Sequence, residues 1–263
     1  MQHVPFLTPD FLHTPTFWIY GSIAMAAFGL SKGGCVGLAV IGLPVMALAM
    51  PPLMAAAIML PVLMAQDMVT VWAFRRNIDK RSFVVLLIGC LIGTAVGAAT
   101  VTSISDAGLK LLVGAIALVF ALNWWMQRLR GIAQRPPYRA PDGVGVFWGF
   151  WCGLTSFVAH AGAPPAQVYM MPLRLAPAVF AGTLGWLFFV INIVKLWPYL
   201  QLGLITRDTL IGSAALMPVA IAGNLVGIWL VRRITVAKFY PMIYAMLLLV
   251  GFKLTWDGVS GLW

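Results

Sequence analysis

Charge is scarce in this chain: 263 residues carry seventeen basic and seven acidic side chains, 62% of positions are hydrophobic and 9% are charged. A soluble domain carries about 25% charged residues, so an ordinary water-soluble fold is excluded. Cysteine is scarce too. Cys35, Cys90 and Cys152 fall in apolar stretches without CxxC spacing, which points to packing residues instead of a disulfide framework or a metal knuckle. Of the three histidines only His160 lies in an apolar run, so no facing pair is available for haem, and no nucleophile–base constellation stands out. An enzyme or redox subunit is therefore disfavoured and no cofactor is expected. The longest polar stretch, 127–142, is too short for a soluble catalytic or regulatory domain.

What fills the chain is apolar sequence. Windows such as Phe83–Val101, Leu111–Met126 and Phe239–Phe252 are nearly free of charge and approach the roughly 20 helical residues that cross a membrane. They are continuously apolar, not alternating, which excludes a β-barrel and leaves an all-α polytopic membrane protein. The stretch "MQHVPFLTPDFLHTPTFW" lacks a basic region and a small-residue cleavage site, so the first apolar segment is expected to be retained. The formal charge of +10 resides in short loops, where it sets orientation against lipid; nucleic acid is not an expected partner.

Apolar segments fall at 16–31, 35–50, 53–73, 82–103, 107–126, 143–160, 163–173, 176–199, 208–231 and 236–256. Segments 35–50 and 163–173 are short and each follows a Gly-rich break, as broken or re-entrant helices do; the sequence leaves open whether they cross or fold back. The ten divide into five and five around 127–142. This predicts a single membrane domain over 1–263, with a first repeat at 16–126, a cytoplasmic linker at 127–142 and a second repeat at 143–256. Each half is expected to hold a broken hairpin followed by three membrane helices, eight to ten segments in all. "GLSKGGCVGLAVIGLPVM" faces "GLTSFVAHAGAPPAQVYMM" across the halves. An odd number of crossings per half puts about twelve basic residues on the cytoplasmic side and leaves only Lys110, Arg207 and Lys253 outside. Odd crossings make the halves inverted repeats, which place binding sites where broken helices meet.

Polar residues inside the apolar runs are few: Lys32, Gln66, Asp67, Asn123, His160, Gln167, Asn192, Lys195 and Asn224. Ionisable groups at membrane depth are costly and suggest function. Ser31, Lys32, Gly33, Gly34 and Gly37 form a break where an unwound turn, a helix N-terminus and a lysine can hold an anion; the competing role for Lys32 is snorkelling. His160, in the facing turn, titrates or contacts substrate, or is a neutral packing histidine. Asn192 and Lys195 share a helical face, and Gln66 is read as the first-half match of Asn192. These amides line a pathway or join helices, and Gln167 is included with them as a substrate contact. Asp67 neutralises a lysine, carries a coupling proton, or caps the cytoplasmic side. Trp72, Trp124, Trp125, Trp148, Trp197 and Trp256 are expected at the membrane interfaces. Gly89, Gly93, Gly97, Gly223 and Gly227 are expected to permit close helix packing.

The blocks "SKGGCVGLAVIGLPVM", "RRNIDKRSF", "GCLIGTAVGA" and "NIVKLWPYLQLGLI" together resemble the TauE/SafE family of sulfite and organosulfur anion exporters, in this order over nearly the whole chain. The resemblance implies about seven to nine membrane segments in two related halves, export of a small sulfur-containing anion, and a location in the bacterial cytoplasmic (inner) membrane. It makes the turn around Lys32 and the Asn192/Lys195 pair the natural anion contacts; the turn "AHAGAPP" is poorer in glycine than the family pattern. The expected reading is a secondary transporter working by alternating access on sulfite or a short sulfonate, with Asp67 and His160 as coupling candidates, membrane lipid as surroundings, and a homo-oligomer allowed. The alternatives are another small anion or a divalent metal, for which Asp67, His160 and the cysteines are thin support beside two lysines.

Overall fold

The computed structural model describes residues 12, 14–33, 39–46, 49–50, 52–100, 106–130 and 136–261. These residues form ten α-helices and no strand: α1 (Pro15–Gly33), α2 (Ala39–Met46), α3 (Pro52–Phe74), α4 (Lys80–Thr100), α5 (Asp106–Leu129), α6 (Asp142–Ala159), α7 (Ala163–Met170), α8 (Pro177–Gln201), α9 (Arg207–Arg233) and α10 (Val236–Ser260). Four of them, α3, α4, α8 and α9, are long and apolar enough to cross a membrane. Their outward faces carry large apolar side chains such as Trp72, Ile88, Trp197 and Trp229. A surface of that kind suits lipid, not water.

The helices pack in pairs: α1 on α9, α4 on α6, α5 on α10, α3 on α8, α3 on α9 and α4 on α8. Exchanging each of α1–α5 with the helix five places later maps this set onto itself. Small residues set the closest approaches. A Cβ on Gly89 or Gly93 of α4 would come within 2.0 or 1.9 Å of the Val146 or Phe150 carbonyl oxygen of α6. Gly223 of α9 similarly abuts Ala26 of α1, and Gly114 of α5 abuts Thr255 of α10. Gly97 meets Phe157, and Gly227 is buried in α9.

Helix ends show the direction of the chain. Arg232 Nη2 donates to the Ala73 carbonyl (3.1 Å), so the C-terminal ends of α3 and α9 meet, and the Asp79 N–H donates to Thr183 Oγ1 (2.9 Å) while Gly182 abuts Phe74, so the end of α3 meets the first turns of α8. Tyr240 Oη, at the start of α10, donates to the Leu175 carbonyl (3.0 Å) just before α8. The basic residues at 75–81, 174 and 232–233 therefore share one end of the bundle. Arg139 joins them through Asp79 Oδ2 (2.6 Å). After α7, the short 3-10 turn Met171–Leu173 reaches the segment before α6, where the Tyr138 N–H donates to the Pro172 carbonyl (3.0 Å). The α6–α7 pair thus returns to the end from which it starts. Trp72, Trp197 and Trp256 face outward, whereas Trp124, Trp125 and Trp148 pack against the core, with Trp124 stacked on Tyr244 at 4.2 Å.

Candidate functional site

The C-terminal ends of α1 and α6 converge with α8 on a cavity of about 40 Å³. That is room on the order of three water-sized spheres. Ser31 and Lys32 reach it from the end of α1, Ser156 and His160 from the end of α6, and Asn192 and Lys195 from α8. Phe28, Leu63 and Phe188 supply an apolar wall.

Lys195 is fully buried. Its ammonium donates to the Ser156 carbonyl (3.0 Å), meets Ser156 Oγ at 3.2 Å and lies 3.0 Å from His160 Nδ1. All three partners are neutral. His160 Nε2 lies 3.1 Å from the Ala56 carbonyl, an acceptor only, so Nε2 carries the hydrogen and Nδ1 accepts from Lys195. Both ring nitrogens are thereby committed in the uncharged imidazole. The backbone at His160 is left-handed, with φ 51°, and its N–H donates to the Ser156 carbonyl (3.2 Å) as α6 ends. A non-glycine residue held at positive φ costs free energy, and here the conformation turns the ring back toward Lys195.

Lys32 has a charged partner. Its Nζ lies 2.5 Å from Asp67 Oδ1, and Asn192 Nδ2 donates to Asp67 Oδ2 at 2.6 Å. The Lys32 ammonium also sits 4.6 Å from the Phe188 ring centroid, within reach of a cation–π attraction. Asp67 is fully buried behind the lining residues and does not itself line the cavity. Two lysines and one carboxylate are thus gathered in a region shielded from water.

Helices α3 and α8 place polar groups at matching positions. Asp67 and Asn192 occupy the same position in α3 and α8, counted from the proline that opens each helix, and so do Thr70 and Lys195. Thr70 Oγ1 donates to the Lys32 carbonyl (3.3 Å) as Lys195 donates to the Ser156 carbonyl. The register pairs Asp67, not its neighbour Gln66, with Asn192.

Gln66 lies away from the cavity: its Nε2 donates to the Ala220 carbonyl (3.0 Å) in α9, and its backbone carbonyl accepts from Asn224 Nδ2 (2.7 Å). Gln167 is buried in α7, one turn beyond the lining residue Ala163, and neither of its amide atoms has a hydrogen-bond partner among the described residues. Asn123 is exposed and bonded to Gln127. Gly33 ends α1, while Gly34 and Gly37 lie outside the described residues. Ser156, Phe28 and Phe188 line the cavity without having stood out in sequence. One signal for Ser156 exists: in the facing "GLSK" and "GLTS" it occupies the place of Lys32.

Among the described residues, no three or more His, Cys, Asp or Glu side chains gather as metal ligands would. The converging groups are mainly donors: two ammonium groups, two hydroxyls and an amide. Such a set receives an anion. No curated protein and no solved structure matches the chain. The model of the family described as sulfite exporter TauE/SafE matches residues 22–254, nearly the whole length. With its helical membrane architecture and buried lysines, the chain belongs to the TauE/SafE sulfite exporter family.

Proposed function

We propose that this protein is a secondary transporter that exports a small sulfur-containing anion, sulfite or a short-chain sulfonate, across the bacterial cytoplasmic membrane by alternating access. The observation that carries this reading is Lys195, a fully buried ammonium whose three partners are neutral. An uncompensated charge at that depth is costly, and an arriving anion supplies what it lacks. The cavity size suits an ion of a few heavy atoms.

The halves are inverted repeats in this proposal. Support comes from the exchange pattern of helix pairs and from the meeting of the C-terminal end of α3 with the first turns of its counterpart α8. Inverted halves that meet at a fixed site are the arrangement in which rocking exposes that site to each side in turn. The basic end of the bundle faces the cytoplasm, following the bias of short cytoplasmic loops. Export of each negative charge across an inside-negative membrane releases about 2.3 kcal/mol per 100 mV, so outward flux needs no further coupling ion. In a proton-coupled variant, Asp67 or His160 carries the proton, and flux then follows a pH gradient at fixed voltage.

The test is sulfite efflux from liposomes containing the purified protein, at a mildly acidic pH where the monoanion hydrogensulfite predominates and with an imposed inside-negative potential. The reading expects efflux above protein-free vesicles, accelerated by the potential and removed by Lys195→Met. Efflux equal to that of protein-free vesicles contradicts it.

A further inference from the structure

We propose that Asp67 sets the charge of the anion this cavity accepts, so that the site is matched to a monoanion and rejects a dianion of the same size. The inference rests on the reading of the cavity as an anion site and adds to it a rule for selectivity and the residue that enforces it.

The argument is a count of charge fixed by hydrogen bonds. Both carboxylate oxygens of Asp67 accept, Oδ1 from the Lys32 ammonium and Oδ2 from the Asn192 amide nitrogen. Lys32 is counted as the ammonium and Asp67 as the carboxylate, and a proton moved from one to the other leaves the pair neutral and the count unchanged. His160 is uncharged, because Nε2 donates to the Ala56 carbonyl while Nδ1 accepts from Lys195. Among the described residues that line the cavity, Lys32 and Lys195 are the cations. The groups facing Asp67 are Lys32 from α1 and Asn192 and Lys195 from α8. Two ammonium charges and one carboxylate leave a net charge of +1, all of it buried or nearly so. A monoanion closes that account, whereas a dianion leaves an excess negative charge where the dielectric is low and compensation by water is poor. The apolar wall of Phe28, Leu63 and Phe188 points the same way, since it can cover a substituent that is not an oxygen.

Methanesulfonate and sulfate make the comparison clean: both are tetrahedral at sulfur and of similar size, and each has a fixed charge near neutral pH. Binding to the full-length protein in detergent is measured by calorimetry at one pH and one ionic strength. Wild type is expected to favour methanesulfonate over sulfate by about tenfold or more, and Asp67→Asn to shift that ratio toward sulfate by about tenfold or more. The double variant Asp67→Asn/Asn192→Asp moves the carboxylate to the counterpart position, restores the count and should restore the preference for methanesulfonate. Asn192→Asp alone brings the count to zero and should lose methanesulfonate binding.

A methyl contact alone would leave the ratio unchanged in Asp67→Asn, and that result overturns the proposal. Wild-type affinity in Asn192→Asp also overturns it, and this variant carries the test if Asp67→Asn does not fold. When both anions bind with a ratio indifferent to Asp67, the anion site survives and the charge rule falls. When neither anion binds wild type, the site itself falls.

Discussion

Asn192 Nδ2 donates to Asp67 Oδ2 at 2.6 Å, and the two residues hold the same position in counterpart helices, α8 and α3. The bond therefore joins α3 and α8 at equivalent points, with an amide in α8 where α3 has a carboxylate. That single difference gives Lys32 a direct carboxylate partner, whereas Lys195 is hydrogen-bonded to neutral groups.

Removing the carboxylate exposes what it compensates. In Asp67→Ala, Lys32 is left with no anionic partner at a site that is nearly closed to water. Breaking a buried pair in this way costs about 3–5 kcal/mol, seen as a lower Tm in anion-free buffer. Addition of a bound anion should recover part of the loss. Unchanged stability without anion would show that the pair is not buried as described.

The opposite holds for Lys195. Lys195→Met replaces an ammonium that has no carboxylate partner by an apolar chain of similar length. Stability in anion-free buffer is expected to stay level or rise, since the cost of burying the charge disappears. A fall of several kcal/mol would mean that the lysine serves the fold, as a cap on the end of α6.

Helix approach at small residues gives a test of the fold independent of the site. Gly93→Ala places a Cβ 1.9 Å from the Phe150 carbonyl oxygen and must push α4 from α6. Gly143→Ala meets nothing within 4 Å and serves as the control. The first is expected to lose about 1–3 kcal/mol, as overpacking does, and the second to stay near wild type. Equal melting curves would contradict the α4–α6 interface.

At the basic end, Asp79 in the α3–α4 connection bonds Arg139 and Ser82 at 2.6 and 2.8 Å. Partial burial pushes its carboxyl upward, but the hydrogen bonds from Arg139 and Ser82 and the Arg139 charge win and hold it below the ordinary value. A depressed carboxylate stabilises the fold above its unfolded-state pKa, and this contribution fades as pH falls through the folded-state value. Arg139→Ala should therefore narrow the stability difference between neutral pH and a pH below the ordinary carboxylate range. An unchanged pH profile in the variant would show that the Asp79–Arg139 contact does not couple to folding.

Much of the helical layout is legible in the sequence because apolar length is a direct requirement of a lipid environment. The short runs 35–50 and 163–173 contain α2 and α7, and the break before α7 is the turn at His160. The partners of the polar residues are less legible. Gln66 and Asp67 are adjacent, so one step of helical rotation decides which faces α8 and which faces α9; only packing settles it, and Gln66 goes to Ala220. Ser156 gives little signal because a serine in an apolar helix is ordinary, and it matters here only through the arrival of Lys195 from α8. Phe28 and Phe188 read as lipid-facing or core side chains until the cavity between them is known.

The central claim, that the buried lysines form an anion site, is tested most directly by thermal unfolding of the purified protein with increasing sulfite at a mildly acidic pH, where the monoanion hydrogensulfite predominates, for wild type and Lys195→Met. A ligand confined to the folded state adds about 2.7 kcal/mol at 100 times its Kd. The account predicts a sulfite-dependent rise in Tm for wild type and none for Lys195→Met. An equal rise in both proteins, or none in wild type, would contradict it.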